Sequence, residues 1–337
     1  MAATIRDVAK RAHVSQATAA RALGGYGYVS IDARKRVLDA ANELDYLANN
    51  AAKTLASGSS NIIGLIAGDI ENPFFATAAR GLADVVEEFG YTLIVANSDE
   101  DSERERRAVD SLRRNRVDGL VVAPSSSRDA AHLSEASEAG TPVVLLDRTV
   151  RGLSVDSVTS DGATGAAQAA EHLISLGHRR LAIVIDATEV PLSSMDVRLR
   201  GWNNALRSAG IPQSQLQVRP VSTRFEGAYE ATMEVLNQSR PPTAIFTASN
   251  VMTVGALRAI REMDIDIPRD LSLVAFDDFE LLSLYRPPIT VVAQPVRQLG
   301  SEAGRLLIAR MQGDLSKARK LKLPNELIIR GSTAITR

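Results

Sequence analysis

The apolar positions of this chain keep two rhythms, and the change of rhythm near residue 60 divides it. Before that point they recur at helical spacing. Ile5, Val8, Ala9 and Ala12 share one helical face, with Thr4 placed to cap it and Asp7 three residues on as the acidic partner of a capping box. His13-Val14 break the pattern, Ser15 is a second N-cap, and Gln16 to Leu23 form the next helix, stopped by Gly24-Gly25. Ser30 caps a third helix, with Asp32 in its first turn and an apolar stripe of Val37, Leu38, Ala41 and Leu44. The core these helices enclose spans about 45 residues, a size marginal on its own. Two short helices crossed over a tight turn form a helix-turn-helix, whose second helix enters the DNA major groove. An ordinary αα-hairpin in a helical core is the alternative. Asn49 to Ser57, ended by Gly58-Ser59-Ser60, is rich in helix formers but too short for an isolated helix. It reads as a linker that is helical only when something holds it.

From Asn61 the apolar residues come in short unbroken runs separated by amphipathic stretches. Strands are expected at Ile62–Ala67, Thr92–Ala96, Gly119–Val122 and Val143–Leu146, with helices at Pro73–Phe89, Glu103–Arg114 and Ala130–Ala139. The unit then restarts with helix Ala163–Leu176, strand Leu181–Ile185, helix Arg198–Ala209, a weak strand near Gln217, and helix Gly227–Asn237. Ala244–Thr247, Val254–Glu262 and Leu271–Ala275 complete it, and Thr290–Ala293, Val296–Met311 and Leu327–Arg330 cross back between the two sets. Such a rhythm predicts parallel sheets with helices on both faces, in two similar subdomains. The expected domains are a helix-turn-helix domain over 1–47, a hinge helix and linker over 48–60, and a core over 61–337. Within the core the first subdomain takes about 61–160 and 291–320, the second about 161–290 and 321–337. Ligands of such sheets sit outside the carboxyl ends of the strands. Those ends here are polar, mostly acidic or amide, and suit a polyhydroxylated small molecule.

Composition narrows this further. The 337 residues are 45% hydrophobic and 23% charged, ordinary for a globular protein of two or three domains. There is no cysteine, which removes disulfides, thiolate metal sites and Cys nucleophiles. No signal peptide is evident and no apolar run approaches the roughly 20 residues of a membrane span, so a cytoplasmic protein is expected. Net charge is −1, with eight Lys/Arg against five Asp/Glu in residues 1–60. DNA affinity would therefore rest on placed contacts and on doubling by dimerisation, not on a basic tail. The enzyme classes find little support. The four histidines, His13, His132, His172 and His178, fall in no catalytic motif, and phosphate-binding loops and nucleophile elbows are absent. Asp277-Asp278 reads as a sugar-hydroxyl acceptor or a turn before it reads as a metal or acid–base pair. No cofactor is expected. A sugar-binding protein without DNA regulation would explain residues 61–337 but leave the first 60 idle.

The specific wording of the chain adds a resemblance. TIRDVAKRAHVSQATAARAL, then YVSIDARKRVLDAANELDYLANNAAKTLASG, are followed by NPFF at 72–75, LDR at 146–148, FDD at 276–278 and Gln294-Pro295. In that order and spacing these resemble the lactose-repressor (LacI/GalR) family of bacterial transcription regulators, over essentially the whole chain. The resemblance implies a three-helix DNA-binding domain, a hinge helix, and a core like that of periplasmic ribose-binding proteins. It implies that Gln16, Ala17 and Arg21 face the bases, Arg suiting guanine and Gln adenine. It implies that Thr4, Ser15, Thr18, Tyr28, Ser30, Tyr46 and Asn49 position phosphates, and that Leu55 is an apolar wedge in the minor groove. In the cleft it implies sugar contacts from Asn72, Phe74, Phe75, Asp147, Arg148, Arg198, Ser249, Asn250, Asp277 and Gln294. One of the two phenylalanines is expected in the core, Trp202 beside the cleft, and either Phe225 or Thr223 as a further wall. The chain departs from the family at His13, where a turn Gly is usual, at Ala20 for Ser, at Ala48 for Pro, and at Ser249-Asn250 for Asn-Asp. The implied function is a repressor that binds a pseudo-palindromic operator as a homodimer under control of a sugar-like effector, pentose-like favoured. No leucine heptads follow the last strand, so tetramers are not expected.

Overall fold

The computed structural model describes residues 3–24, 26–46, 59–186, 192–211, 217–218 and 225–336, of which 217–218 are described by backbone alone. Ala48, Asn49, Leu55 and Thr223 lie outside the described residues. The chain divides into two units, residues 1–62 with 112–118, and the remainder.

In the first unit the helical rhythm becomes α1 (Ile5–Arg11), α2 (Gln16–Gly24) and α3 (Ile31–Glu43). Thr4 and Asp7 close the capping box reciprocally, at 3.4 Å and 2.9 Å, leaving fewer unpaired donors at the start of α1. His13 turns the chain in the left-handed region at φ 53°, a conformation His tolerates better than most side chains. The core is Val8, Ala9, Ala12, Ala19, Ala22, Val37, Ala40 and Ala41. Mostly alanine, it brings the helix axes close and leaves little apolar area per residue. Leu38, placed in the stripe by the sequence pattern, is 46% exposed, and Ala40 takes its place inside. The Asp118 carboxylate gathers the backbone N–H groups of Ser60 at 3.1 Å and Asn61 at 2.7 Å.

The second unit holds two lobes, each a six-stranded sheet. The first sheet runs in the order β11 (Lys320–Leu323), β5 (Asp156–Ser160), β4 (Val143–Leu146), β3 (Gly119–Val122), β1 (Ile62–Ala67) and β2 (Thr92–Asn97). The second runs β12 (Glu326–Ile328), β10 (Thr290–Ala293), β9 (Ser272–Phe276), β8 (Ala244–Thr247), β6 (Leu181–Val184) and β7 (Gln217–Val218). The registered ladders are parallel except β10 with β12. The connecting helices are α4 (Pro73–Glu88), α5 (Ser102–Arg114), α6 (Ala131–Glu138), α7 (Gly162–Ser175), α8 (Ser193–Ser208), α9 (Phe225–Leu236), α10 (Asn250–Glu262), α11 (Glu280–Leu284) and α12 (Val296–Met311). Among the described residues no helix is long and apolar enough to cross a membrane, and no cluster of His, Asp or Glu is placed to hold a metal ion.

Three elements escape the hydrophobic pattern: β5, β11 and the short α11. In β5 only Val158 is apolar, and the buried Asp156 carboxylate is held by Arg310 at 2.8 Å and by the Arg319 N–H at 2.6 Å. The crossing points also shift. Thr290–Ala293 belongs to the second sheet, and Lys320–Leu323 to the first, so the expected limits at 291 and 320 each move by about one strand.

Glycine fixes one helix contact that matters below. A β-carbon on Gly201 would stand 2.0 Å from the Ala163 carbonyl oxygen, so α8 lies against α7 closer than any other residue permits. The C-terminal segment is pinned by His178, whose Nε2–H donates to the Ala334 carbonyl at 3.0 Å while Nδ1 meets Thr243 at 2.9 Å. Burial holds the His178 imidazole below its ordinary value, and His172 likewise. The unfolded imidazole takes up its proton near pH 6.5 and the folded one later. The unfolded state therefore binds more protons as pH falls below about 6.5, and stability must decline there. Urea midpoints are expected to drop between pH 7.5 and 5.5, with a shallower slope in His178→Asn; an unchanged slope would remove His178 from that titration.

Candidate functional site

Two surfaces collect the residues singled out by sequence. On α2, Gln16 and Ala17 are exposed while Ala19 and Ala22 are buried, so the helix offers one face outward. Ser15 caps that helix, accepting from the Thr18 N–H at 3.1 Å and meeting the Thr18 hydroxyl at 2.9 Å. Arg21 lies along the same helix, its Nε donating to the Ala17 carbonyl at 3.2 Å. Its stem is crossed by Gly27, at φ 67°, where a β-carbon would approach Arg21 Cδ to 3.1 Å. That supporting role of Gly27 was not expected from the sequence. Tyr28 and Ile31 stand 89% and 91% exposed beside it, and only Tyr28 was anticipated. Besides Ser15 and Thr18, three more of the expected phosphate contacts have engagements within the chain. Thr4 donates to Asp7 at 2.6 Å, Ser30 caps α3 at 3.3 Å, and Tyr46 packs on the three-helix core.

The second surface forms between the two lobes at the carboxyl ends of the strands. Matching strands, β4 and β9, each end in an aspartate in the left-handed region, Asp147 at φ 65° and Asp277 at φ 77°. The backbone N–H of each donates to the neighbouring strand in the same way, Asp147 to Val158 and Asp277 to Val292, both at 2.9 Å. The two lobes thus present the same strained turn to each other, the sort of outlier that marks a binding site. Arg198, from α8, reaches between them. Its guanidinium lies 3.8 Å above the Phe276 ring, donates to the Ala248 carbonyl at 2.7 Å and stands 3.9 Å from Asp147. Phe276 in turn meets Phe246 edge-on, and Phe246 stacks on the buried Trp202 at 5.1 Å, so Trp202 belongs to the lobe core behind the ring that carries Arg198.

Bonds between side chains close the lobes on each other. Asn250 Nδ2 donates to Asn72 Oδ1 at 2.6 Å. Gln294 donates to Asp277 and accepts from Ser160, both at 2.5 Å. A cavity of about 550 Å³ is bounded by Phe74, Asn250, Asp277 and Gln294. A smaller one of about 220 Å³ is bounded by Asp147 and Arg198. Burial raises the Asp147 carboxyl above the usual range, with Asp277 and Glu100 adding to the effect and Arg148 and Arg198 opposing it. Burial lowers the Arg198 guanidinium, against the pull of Asp277 and Asp147.

Several expected ligand contacts are placed differently. Arg148 is forked onto Glu100 at 2.5 and 2.7 Å and donates to the Pro124 carbonyl, so it braces Asp147 from behind. Glu100 gave no sequence signal, because it sits in a turn after β2 at φ 57°. Ser249 caps α10, accepting from the Met252 N–H at 3.4 Å. Phe75 is in the lobe core, edge-on to Phe74 at 5.2 Å. Phe225 starts α9 and lines neither cavity, and Asp278 is paired with Arg330 at 2.7 Å.

Residues 4–49 match the profile of the bacterial regulatory proteins of the lacI family, and residues 170–333 that of the periplasmic binding protein-like domain. The chain is 32% identical to the HTH-type transcriptional regulator DegA of Bacillus subtilis over 99% of both chains. It superposes on a crystal structure of the lac repressor dimer bound to operator and the anti-inducer ONPF with a TM-score of 0.85, at 28% identity, over 99% of this chain and 100% of that one. A LacI family transcriptional regulator from Enterococcus faecium with bound ribose matches 82% of this chain and 100% of its own, at 29% identity and a TM-score of 0.74.

The position of Asp147 makes a sharp expectation about stability. An acid whose folded value is raised costs stability as pH rises from about 3.9 through that value, because the folded state holds the proton longer. Asp147→Asn removes the buried charge and keeps a residue type that accepts the left-handed turn. At pH 7 the variant is expected to melt at or above the temperature of the parent chain. A clear loss of stability would show that Arg198 and Arg148 depend on the charge.

Proposed function

The chain belongs to the lacI family of bacterial regulatory proteins, DNA-binding transcriptional regulators and not enzymes, and on that premise we propose that it represses from a pseudo-palindromic operator, as a homodimer, under the control of a sugar-like effector. The observation that carries the effector half is the pairing of Asp147 and Asp277 at equivalent strand ends with Arg198 between them. Carboxylates accept from pairs of sugar hydroxyls, a guanidinium donates to them, and Phe74, largely buried but bordering the larger cavity, offers an apolar wall for C–H groups. The lobe-closing bonds Asn72–Asn250 and Ser160–Gln294–Asp277 occupy the same polar groups, so a ligand exchanges them for its own. Any difference in affinity between two lobe arrangements then couples reciprocally to operator affinity. The ribose-bound relative supports a sugar in this place, and the operator-bound dimer supports DNA as the partner.

The reader itself is small. Gln16 and Arg21 are assigned the base contacts, Ala17 at most a methyl contact, and Thr4, Ser15, Thr18, Tyr28, Ser30 and Tyr46 the phosphates. Asn49 and Leu55 keep the phosphate and minor-groove roles that the sequence resemblance gives them. One copy is a weak reader, which favours two. Edge strand β2 leaves Ile94 and Val95 exposed at 41% and 46%, and α11 leaves Leu281 and Leu284 exposed, apolar surface suited to a second copy.

The direct test is a gel shift with the chain's own upstream DNA, with and without added sugars. A shift that sugars alter is expected; no shift at all would favour a plain sugar-binding protein. Arg21→Ala should cost about 1–3 kcal/mol and relax discrimination at one base pair, and unchanged discrimination would take Arg21 out of the readout. Ile94→Arg should give monomers in sedimentation with operator affinity reduced at least ten-fold; persistent dimers would place the interface elsewhere.

A further inference from the structure

Side chains other than glycine seldom hold a left-handed φ, and those that do are mostly Asp, Asn or His. Among the described residues, each such position is one of these three types except Glu100 and Arg116. Glu100 is accounted for by its fork onto Arg148. Arg116, at φ 57°, has no such partner. It closes the turn after α5, where the Arg116 N–H donates to the Arg113 carbonyl at 2.8 Å and the Val117 N–H to the Leu112 carbonyl at 3.2 Å. A turn with those two bonds ordinarily places glycine where Arg116 stands. The ends of α4 and α12 follow that rule, with Gly90 and Gly313. A long cationic side chain therefore occupies a place that costs the backbone less with glycine.

The neighbouring residues have the same charge. Arg113 and Arg114 form the last turn of α5, and Arg114 and Arg116 are exposed. Among the described residues none of the three side chains takes an ion pair or a hydrogen bond. The nearby acid, Asp118, is committed to the N–H groups of Ser60 and Asn61 and to the Ser59 hydroxyl. Basic residues in the last turn of a helix complement its dipole, which explains Arg113 and Arg114 but not Arg116. Residues 112–118 fall in the same compact unit as the DNA-binding helices, and that unit carries eleven Lys/Arg against six Asp/Glu. The chain from Tyr46 to the Ser59 anchor spans at most about 45 Å even if fully extended, so a duplex held by α2 stays close to the three arginines.

Resting on the DNA-binding reading above, we propose that Arg113, Arg114 and Arg116 form a second DNA-contacting surface, which takes backbone phosphates of the duplex that α2 reads. Guanidinium groups bind phosphate oxygens in pairs, and such contacts add affinity without sequence preference.

Anisotropy titrations of the full chain test this with two labelled duplexes, the chain's own upstream DNA and one of unrelated sequence, from about 50 to about 200 mM salt. Each neutralised phosphate contributes about 0.9 to the slope of log affinity against log salt. In the triple variant Arg113→Gln, Arg114→Gln, Arg116→Gly the slope should become shallower by about two or more. Affinity for both duplexes at the lowest salt should fall at least ten-fold, with the ratio between them unchanged. Arg116→Gly alone is expected to melt at or above the temperature of the parent chain and still lose part of the slope. A lower melting temperature with an unaltered slope would make Arg116 structural and overturn the inference. Unchanged slope and affinity in the triple variant overturn it and leave the DNA reading intact; the arginines would then face a partner other than DNA. Loss confined to the upstream DNA also overturns it, since the arginines would be steadying the sequence reader without touching phosphates. A parent chain that binds neither duplex overturns both.

Discussion

A buried aspartate whose carboxyl is pushed above its ordinary range by burial sets the terms for the rest of this molecule. Asp147 is 9% exposed, and two arginines and one further aspartate share its surroundings. Charge in such a place is tolerated only when it is paired and hydrogen-bonded. Arg148, clamped by Glu100, fixes it from one lobe, and Arg198, laid over Phe276, faces it from the other. The Trp202–Phe246–Phe276 stack below is accordingly a support for a guanidinium as well as a core. The two lobes meet through polar bonds, with no sealed apolar seam between Asn72 and Asn250 or between Ser160 and Gln294. Contacts of this kind exchange readily with the hydroxyls of a ligand, because neither state leaves a polar group bare.

The legible parts of the fold are those whose side chains face one environment along their length. Ile62–Ala67, Gly119–Val122 and Val143–Leu146 are buried on both faces and stand in the sequence as unbroken apolar runs. The helices announce themselves through period and caps, as with Thr4, Ser15 and Ser30. The strands that were missed, β5 and β11, each turn one face to the core and one to the smaller cavity. Their polar halves break the apolar run, and the reason they were hard to see is the reason they are interesting.

Residue roles in the cleft were legible to a lesser degree. A strand-end position can be read from periodicity, which is how Asp147 and Asp277 were found. The partner a side chain takes depends on which distant turn comes beside it. Arg148 was expected to meet a ligand and instead meets Glu100, 48 positions earlier. Ser249 was expected in the same role and caps its own helix, while Gly27 supports Arg21 through a φ that sequence does not display. The resemblance to a family supplied the candidate positions, and the packing shows which intramolecular partners each one takes.

The contact of Gly201 with the Ala163 carbonyl bears on how such a protein can diversify. Because α8 cannot move away from or toward α7 without breaking that contact, Arg198, one turn earlier, is held at a fixed height over the cleft. The surrounding lobe-closing residues, such as Asn72 and Ser160, come from a loop and a strand end that are free of this restraint. On the sugar-effector proposal, substitutions at this periphery change which small molecule fits, while the guanidinium between Asp147 and Phe276 keeps its height.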